Sequence, residues 1–158
     1  MVDISRRGFL GGRSSAPPPL RPPWAGDETT FTARCTRCGD CLSACPQKIL
    51  LVGAGGYPAV EFSRGECTFC GDCLAACRSG ALHREMGAAP WALKAVMGDA
   101  CLPRQGVECR VCGEFCDGRA IRFPPRVGGI ALPMVEAALC TGCGACVAPC
   151  PVGAVSIR

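Results

Sequence analysis

The chain has 158 residues with 16 Cys, 21 Gly and 14 Pro and a formal net charge of +4, while Leu, Ile, Val and Phe together fill only 33 positions. That apolar content lies close to the level below which chains tend not to fold unaided, so sixteen thiols must supply cross-linking that a thin core does not. No run of about 18 apolar residues offers a membrane span, and no block of five or six like charges offers a nucleic-acid surface; neither partner is expected.

Residues 1–30 read as an irregular, Pro-rich leader. Ser5-Arg6-Arg7-Gly8-Phe9-Leu10 looks like a twin-arginine export motif, but the apolar segment such a signal needs does not follow. Arg13, Ser14, Ser15 and the proline-rich stretch Pro17–Pro23 come instead, and proline breaks a helical apolar region. The expectation is therefore a cytoplasmic protein, in a compartment that also keeps thiols reduced.

Residues 31–82 form the first predicted module. It contains two cysteine groups, Cys35, Cys38, Cys41, Cys45 and Cys67, Cys70, Cys73, Cys77, both spaced C-x2-C-x2-C-x3-C. Between them Ile49–Val52, a Gly53–Gly56 turn and Pro58–Phe62 read as a hairpin. Leu42–Ala44 and Leu74–Ala76 allow a turn or two of helix.

Residues 83–98 read as a linker. Trp91, Leu93 and Ala95 alternate as in a strand, whereas the Ala content also suits a helix. Trp91 is expected to anchor packing between modules, and the lone His83 to be solvated or satisfied.

Residues 99–158 form the second module. Cys140, Cys143, Cys146 and Cys150 repeat the spacing of the first two groups, while Cys101, Cys109, Cys112 and Cys116 widen the first gap to seven residues. Ala120–Phe123, a turn at Gly128-Gly129 and Ile130–Val135 repeat the hairpin plan. CTRCGDCLSACP at 35–46, CTFCGDCLAACR at 67–78 and CTGCGACVAPCP at 140–151 expose an internal duplication, groups one and two being offset by 32 residues and the last cysteines of groups three and four, Cys116 and Cys150, by 34. The fold class expected is α+β: two tandem bacterial-ferredoxin-like modules, each of duplicated βαβ halves around clusters.

C-x2-C-x2-C-x3-C is the spacing of 4Fe-4S ligation. Short gaps let one loop deliver three thiolates to a cage, and Gly39, Gly71 and Gly144, each after the second Cys, let the backbone curl close to inorganic sulfur. Eight disulfides would need an oxidising compartment, and zinc would need only paired C-x2-C knuckles. Iron–sulfur clusters are thus expected at the first, second and fourth groups. A fourth cluster at the third group depends on the alignment that uses Cys101, since starting from Cys109 and Cys112 puts Phe115 where the third Cys belongs. Arg78 and Asp117 stand where Pro46 and Pro151 follow the other last cysteines.

In two-cluster ferredoxins the last Cys of each run ligates the other cluster. That rule gives four sets: Cys35, Cys38, Cys41 with Cys77; Cys67, Cys70, Cys73 with Cys45; Cys101, Cys109, Cys112 with Cys150; Cys140, Cys143, Cys146 with Cys116. Self-contained groups are the alternative. No nucleophile, base and orienter can be assembled around a single His, so electron transfer rather than catalysis is expected.

Beyond its cysteines the chain resembles the NapF family of ferredoxin-type proteins. The resemblance is carried by Ser-Arg-Arg-Gly-Phe-Leu-Gly-Gly-Arg (5–13), Arg-Pro-Pro-Trp-Ala-Gly-Asp-Glu (21–28), Gly-Ala-Gly-Gly-Tyr-Pro (53–58), Gly-Asp-Ala-Cys (98–101) and the four cysteine groups in order. It implies a cytoplasmic 4Fe-4S protein that binds the precursor of NapA, the catalytic subunit of periplasmic nitrate reductase, and assists its maturation before export, with electrons from a redox donor. In that setting Arg6 and Arg7 would contribute to partner recognition. A general polyferredoxin carrying electrons between redox enzymes is the competing reading, and the Pro/Arg-rich leader, unneeded by a bare carrier, separates the two.

Overall fold

The computed structural model describes residues 19–158. The twin-arginine-like segment with Arg6 and Arg7 lies outside the described residues, as does Pro17. The secondary structure is sparse: short helices set against three separate two-stranded antiparallel sheets.

The described part of the expected irregular leader is built into the fold. Pro22 and Pro23 are almost fully buried and Trp24 is 6% exposed. Proline has no amide N–H to leave unsatisfied, so two consecutive prolines enter an interior at no hydrogen-bond cost on the donor side. Leu20 accepts the Val60 amide through its carbonyl (2.8 Å), and Trp24 donates to Pro90 (2.8 Å) while accepting from His83 (3.0 Å). Asp27 caps α1 (Glu28–Arg34), its carboxylate accepting from the Thr30 amide at 2.9 Å. Phe31, 1% exposed, is the helix's contribution to the core.

The first hairpin forms at the expected place: β1 (Leu50–Val52) pairs with β2 (Pro58–Val60) in the register Leu50 to Val60. The run expected to continue to Phe62 instead bends at Glu61 into a 3-10 turn, Phe62–Arg64, which buries Phe62. Helices α2 (Asp40–Ala44) and α3 (Asp72–Ala75) follow Gly39 and Gly71, whose φ values of 82° and 86° fall in the left-handed region.

The strand in the presumed linker is β3 (Ala95–Met97), and it pairs with β6 (Val155–Ile157), Ala95 opposite Ile157. Lys94 and Arg158 extend the ladder with reciprocal bonds of 2.9 and 3.0 Å. The end of segment 83–98 is thus tied to the second unit. After helix α4 (Val111–Glu114), the second hairpin is shorter than expected: β4 (Ile121–Arg122) pairs with β5 (Met134–Val135) over two residues each. Pro133, lacking a donor, marks where the ladder stops, and Arg126 bridges Gly129 at the tip of the loop.

Aromatic contacts join the two units. Trp91 stacks edge-on against Phe62 (6.0 Å between ring centroids) and Phe69 (5.5 Å), and its indole N–H donates to the Thr141 carbonyl at 2.9 Å. This is the inter-module anchor expected of Trp91. His83 departs from expectation at one atom: Nδ1 is buried and has no partner, while Nε2 lies 3.7 Å from Glu85.

Candidate metal centres

Four of the cavities among the described residues are each lined by four cysteines drawn from two of the sequence groups. The first holds Cys35, Cys38, Cys41 and Cys77, and the second Cys45, Cys67, Cys70 and Cys73. The third holds Cys101, Cys109, Cys112 and Cys150, and the fourth Cys116, Cys140, Cys143 and Cys146. In every set the last cysteine of one run has crossed to the other run of its module. None of the sixteen is joined in a disulfide.

Local backbone geometry explains how each loop wraps. Besides the glycines after the second Cys, the residue before it is also left-handed in three groups: Arg37 at φ 59°, Phe69 at 53° and Gly142 at 74°. Sequence reading missed these positions, because only Gly142 carries a composition signal for positive φ. In the third group Cys101 is folded back by a 3-10 turn, Leu102–Gln105, whose Arg104 and Gln105 amides donate to the Cys101 carbonyl at 2.9 and 3.2 Å. The seven-residue gap therefore loops outward while its cysteine stays buried. Arg110, with φ −133°, needs no glycine there.

The crossing cysteines are held by backbone amides. Leu82 donates to Cys77 Sγ (3.3 Å), Ala120 to Cys116 Sγ (3.3 Å) and Ala154 to Cys150 Sγ (3.2 Å). The same device recurs four or five residues after the last Cys of three groups. Ala95 adds a fourth such bond, to Cys140 Sγ at 3.4 Å. Bonds of this kind favour the ionised sulfur and tune a bound cluster's potential.

Electrostatics point the same way. Burial, then the neighbouring sulfurs, pushes Cys41, Cys67 and Cys112 up to about 11 and Cys73 and Cys146 up to about 12. The sulfurs that raise Cys41 are Cys77, Cys35 and Cys38; those that raise Cys112 are Cys101, Cys109 and Cys150. Four thiolates cannot share such a pocket without cationic charge between them, which an iron–sulfur core held by these cysteines would supply. Among the described residues no three Cys, His, Asp or Glu side chains are grouped as for a single ion. A cubane, which takes one thiolate on each of four irons, would be held by four thiols such as line each cavity.

Comparison with known proteins agrees. The family model described as a 4Fe-4S dicluster domain matches twice, over residues 34–81 and 107–154. The second match begins after Cys101, the cysteine displaced by the long gap. These matches, with sixteen cysteines in ferredoxin spacing, define an iron–sulfur protein of ferredoxin type that binds multiple 4Fe-4S clusters. The chain belongs to the NapF family of ferredoxin-type proteins: it is 48% identical over 156 residues to ferredoxin-type protein NapF of Escherichia coli K12, covering 98% of this chain and 94% of that protein. It is 44% identical to NapF of Haemophilus influenzae over 99% of this chain and 94% of the relative. It is also 34% identical to the methylamine utilization ferredoxin-type protein MauM of Methylophilus methylotrophus, over 88% of this chain and 69% of MauM. No solved structure matches the chain. Among the described residues no helix is long and apolar enough to cross a membrane.

Proposed function

We propose that the four cysteine sets lining the cavities are the ligands of four 4Fe-4S clusters, and that the protein works in the cytoplasm, binding the precursor of NapA, the catalytic subunit of periplasmic nitrate reductase. It assists maturation of that precursor before export by transferring electrons received from a separate redox donor, without itself catalysing a reaction. The observation that carries the ligand assignment is that each cavity is lined by four thiols, three from one run and the fourth from its neighbour. When bound, such clusters take up and release single electrons at potentials set by burial and hydrogen bonds to sulfur. The chain's own part is to grip, bury and space them. The partner assignment is supported by likeness to NapF proteins along nearly the whole chain, non-cysteine segments included.

Likeness to MauM shows the same framework in a protein named for another system, which is what a general electron carrier would also display. Two measurements decide. Anaerobically purified protein should carry about sixteen irons per chain if all four sets are filled; about twelve would leave one set empty, and iron-free, cooperatively folded protein would end the ligand assignment. The full chain, immobilised, should capture the NapA precursor with its signal and release it when the leader of the bait is deleted. Capture independent of the leader counts against a docking role for it, and no capture at all favours the general carrier.

A further inference from the structure

The cysteine sets are numbered along the chain, but space orders them otherwise. The two modules meet where the Cys67 amide donates to the Cys143 carbonyl at 2.8 Å. Cys67 belongs to the second cavity and Cys143 to the fourth. The same seam is packed from both sides. A Cβ on Gly144 would collide with the Phe62 ring at Cδ1, and one on Gly142 would strike the Leu93 carbonyl and the Trp91 indole. Trp91 in turn rests on Phe62 and Phe69 and bonds Thr141. Two left-handed glycines of the fourth group thus fit under the Trp91 and Phe62 rings, which brings the two backbones into hydrogen-bond contact. Within the modules, helix α2, which carries Cys41 of the first set, packs on helix α3, which carries Cys73 of the second, and in both modules each run gives three cysteines to one set and its last to the neighbouring set.

Building on the ligand assignment above, the geometry points to a single file of four centres in the order first, second, fourth, third, with Cys67 to Cys143 as the only backbone hydrogen bond between the two modules among the described residues. The first and third sets are the two ends, so an electron partner at either end lies farthest from one at the other.

The test uses electron paramagnetic resonance of full-length chains reduced with dithionite. One variant, Cys38→Ala and Cys41→Ala with Cys109→Ala and Cys112→Ala, keeps the second and fourth sets. Another, Cys70→Ala and Cys73→Ala with Cys109→Ala and Cys112→Ala, keeps the first and fourth. Each retains one centre per module. Spin–spin broadening in the former and its loss in the latter is expected; equal broadening in both, broadening only in the latter, or none in either overturns the order. Unmodified holoprotein gives a second readout that does not depend on the variants folding. The Cys67 amide should exchange hydrogen slowly, and exchange as fast as an exposed loop amide overturns the seam. An iron-free wild-type chain would instead indict the ligand assignment.

Discussion

Gly144 lies directly beneath the Phe62 ring, so close that a methyl group in place of its hydrogen would overlap three ring carbons. It also holds φ at 83°, a backbone state that side chains resist. One glycine therefore serves both cluster wrapping and module docking.

Gly144→Ala should cost about 2–3 kcal/mol, combining overpacking against a buried ring with left-handed strain. Gly128→Ala is the comparison: φ is 66° but nothing lies within 4 Å of its added carbon, so only the strain of about 1 kcal/mol applies. Anaerobic denaturant unfolding of the two holoproteins checks this. Equal losses would show that Phe62 moves aside freely.

Arg21 grips Glu28 with bonds of 2.8 and 2.6 Å while its guanidinium lies over Phe31 and Tyr57. The bond to Arg21 holds the Glu28 carboxyl below its ordinary value of 4.5. A depressed carboxyl contributes stability above that ordinary value and loses it as pH falls through the depressed one. Glu28 is half exposed, so the contribution is less than about 1 kcal/mol. The stability gap between wild type and Glu28→Gln should be constant from pH 7 to 5 and close below pH 4.5. Following α1 amide exchange across that range reads it, and a gap that widens on acidification contradicts the pairing.

Ala154→Pro removes the amide that donates to Cys150 Sγ, and Ala120→Pro removes the one on Cys116 Sγ. Reduction adds negative charge that these bonds stabilise, so each loss should move one cluster to a more negative potential. On the assigned ligands, Ala154→Pro acts on the third set and Ala120→Pro on the fourth. Redox titration should show one shifted centre per variant, and unchanged potentials would mean the bonds do not tune them.

Ligand spacing was readable because it is a local property: three thiols within seven residues can reach one cage whatever the rest of the chain does. The β1–β2 hairpin was readable for the same reason, with Gly53 to Gly56 marking its turn. What escaped the sequence depends on distant partners. Pro22, Pro23 and Trp24 look like leader until Val60, His83 and Pro90 are seen around them. Ala95–Met97 lacks the length to declare itself a strand and becomes one only when Val155–Ile157 arrives beside it. Phe69 combines a positive φ with an edge-on contact to Trp91, and no composition rule encodes either.

The crossing of the last cysteines also sets a timetable for synthesis. Cys101, Cys109 and Cys112 emerge from the ribosome early, yet the thiol that completes their cavity, Cys150, is made only near the end of the second module. The first module can be closed by Cys77 while its neighbour is still being translated. Until then the nascent second half displays unshielded sulfur, so oxygen or a shortage of iron during growth should strike that half first.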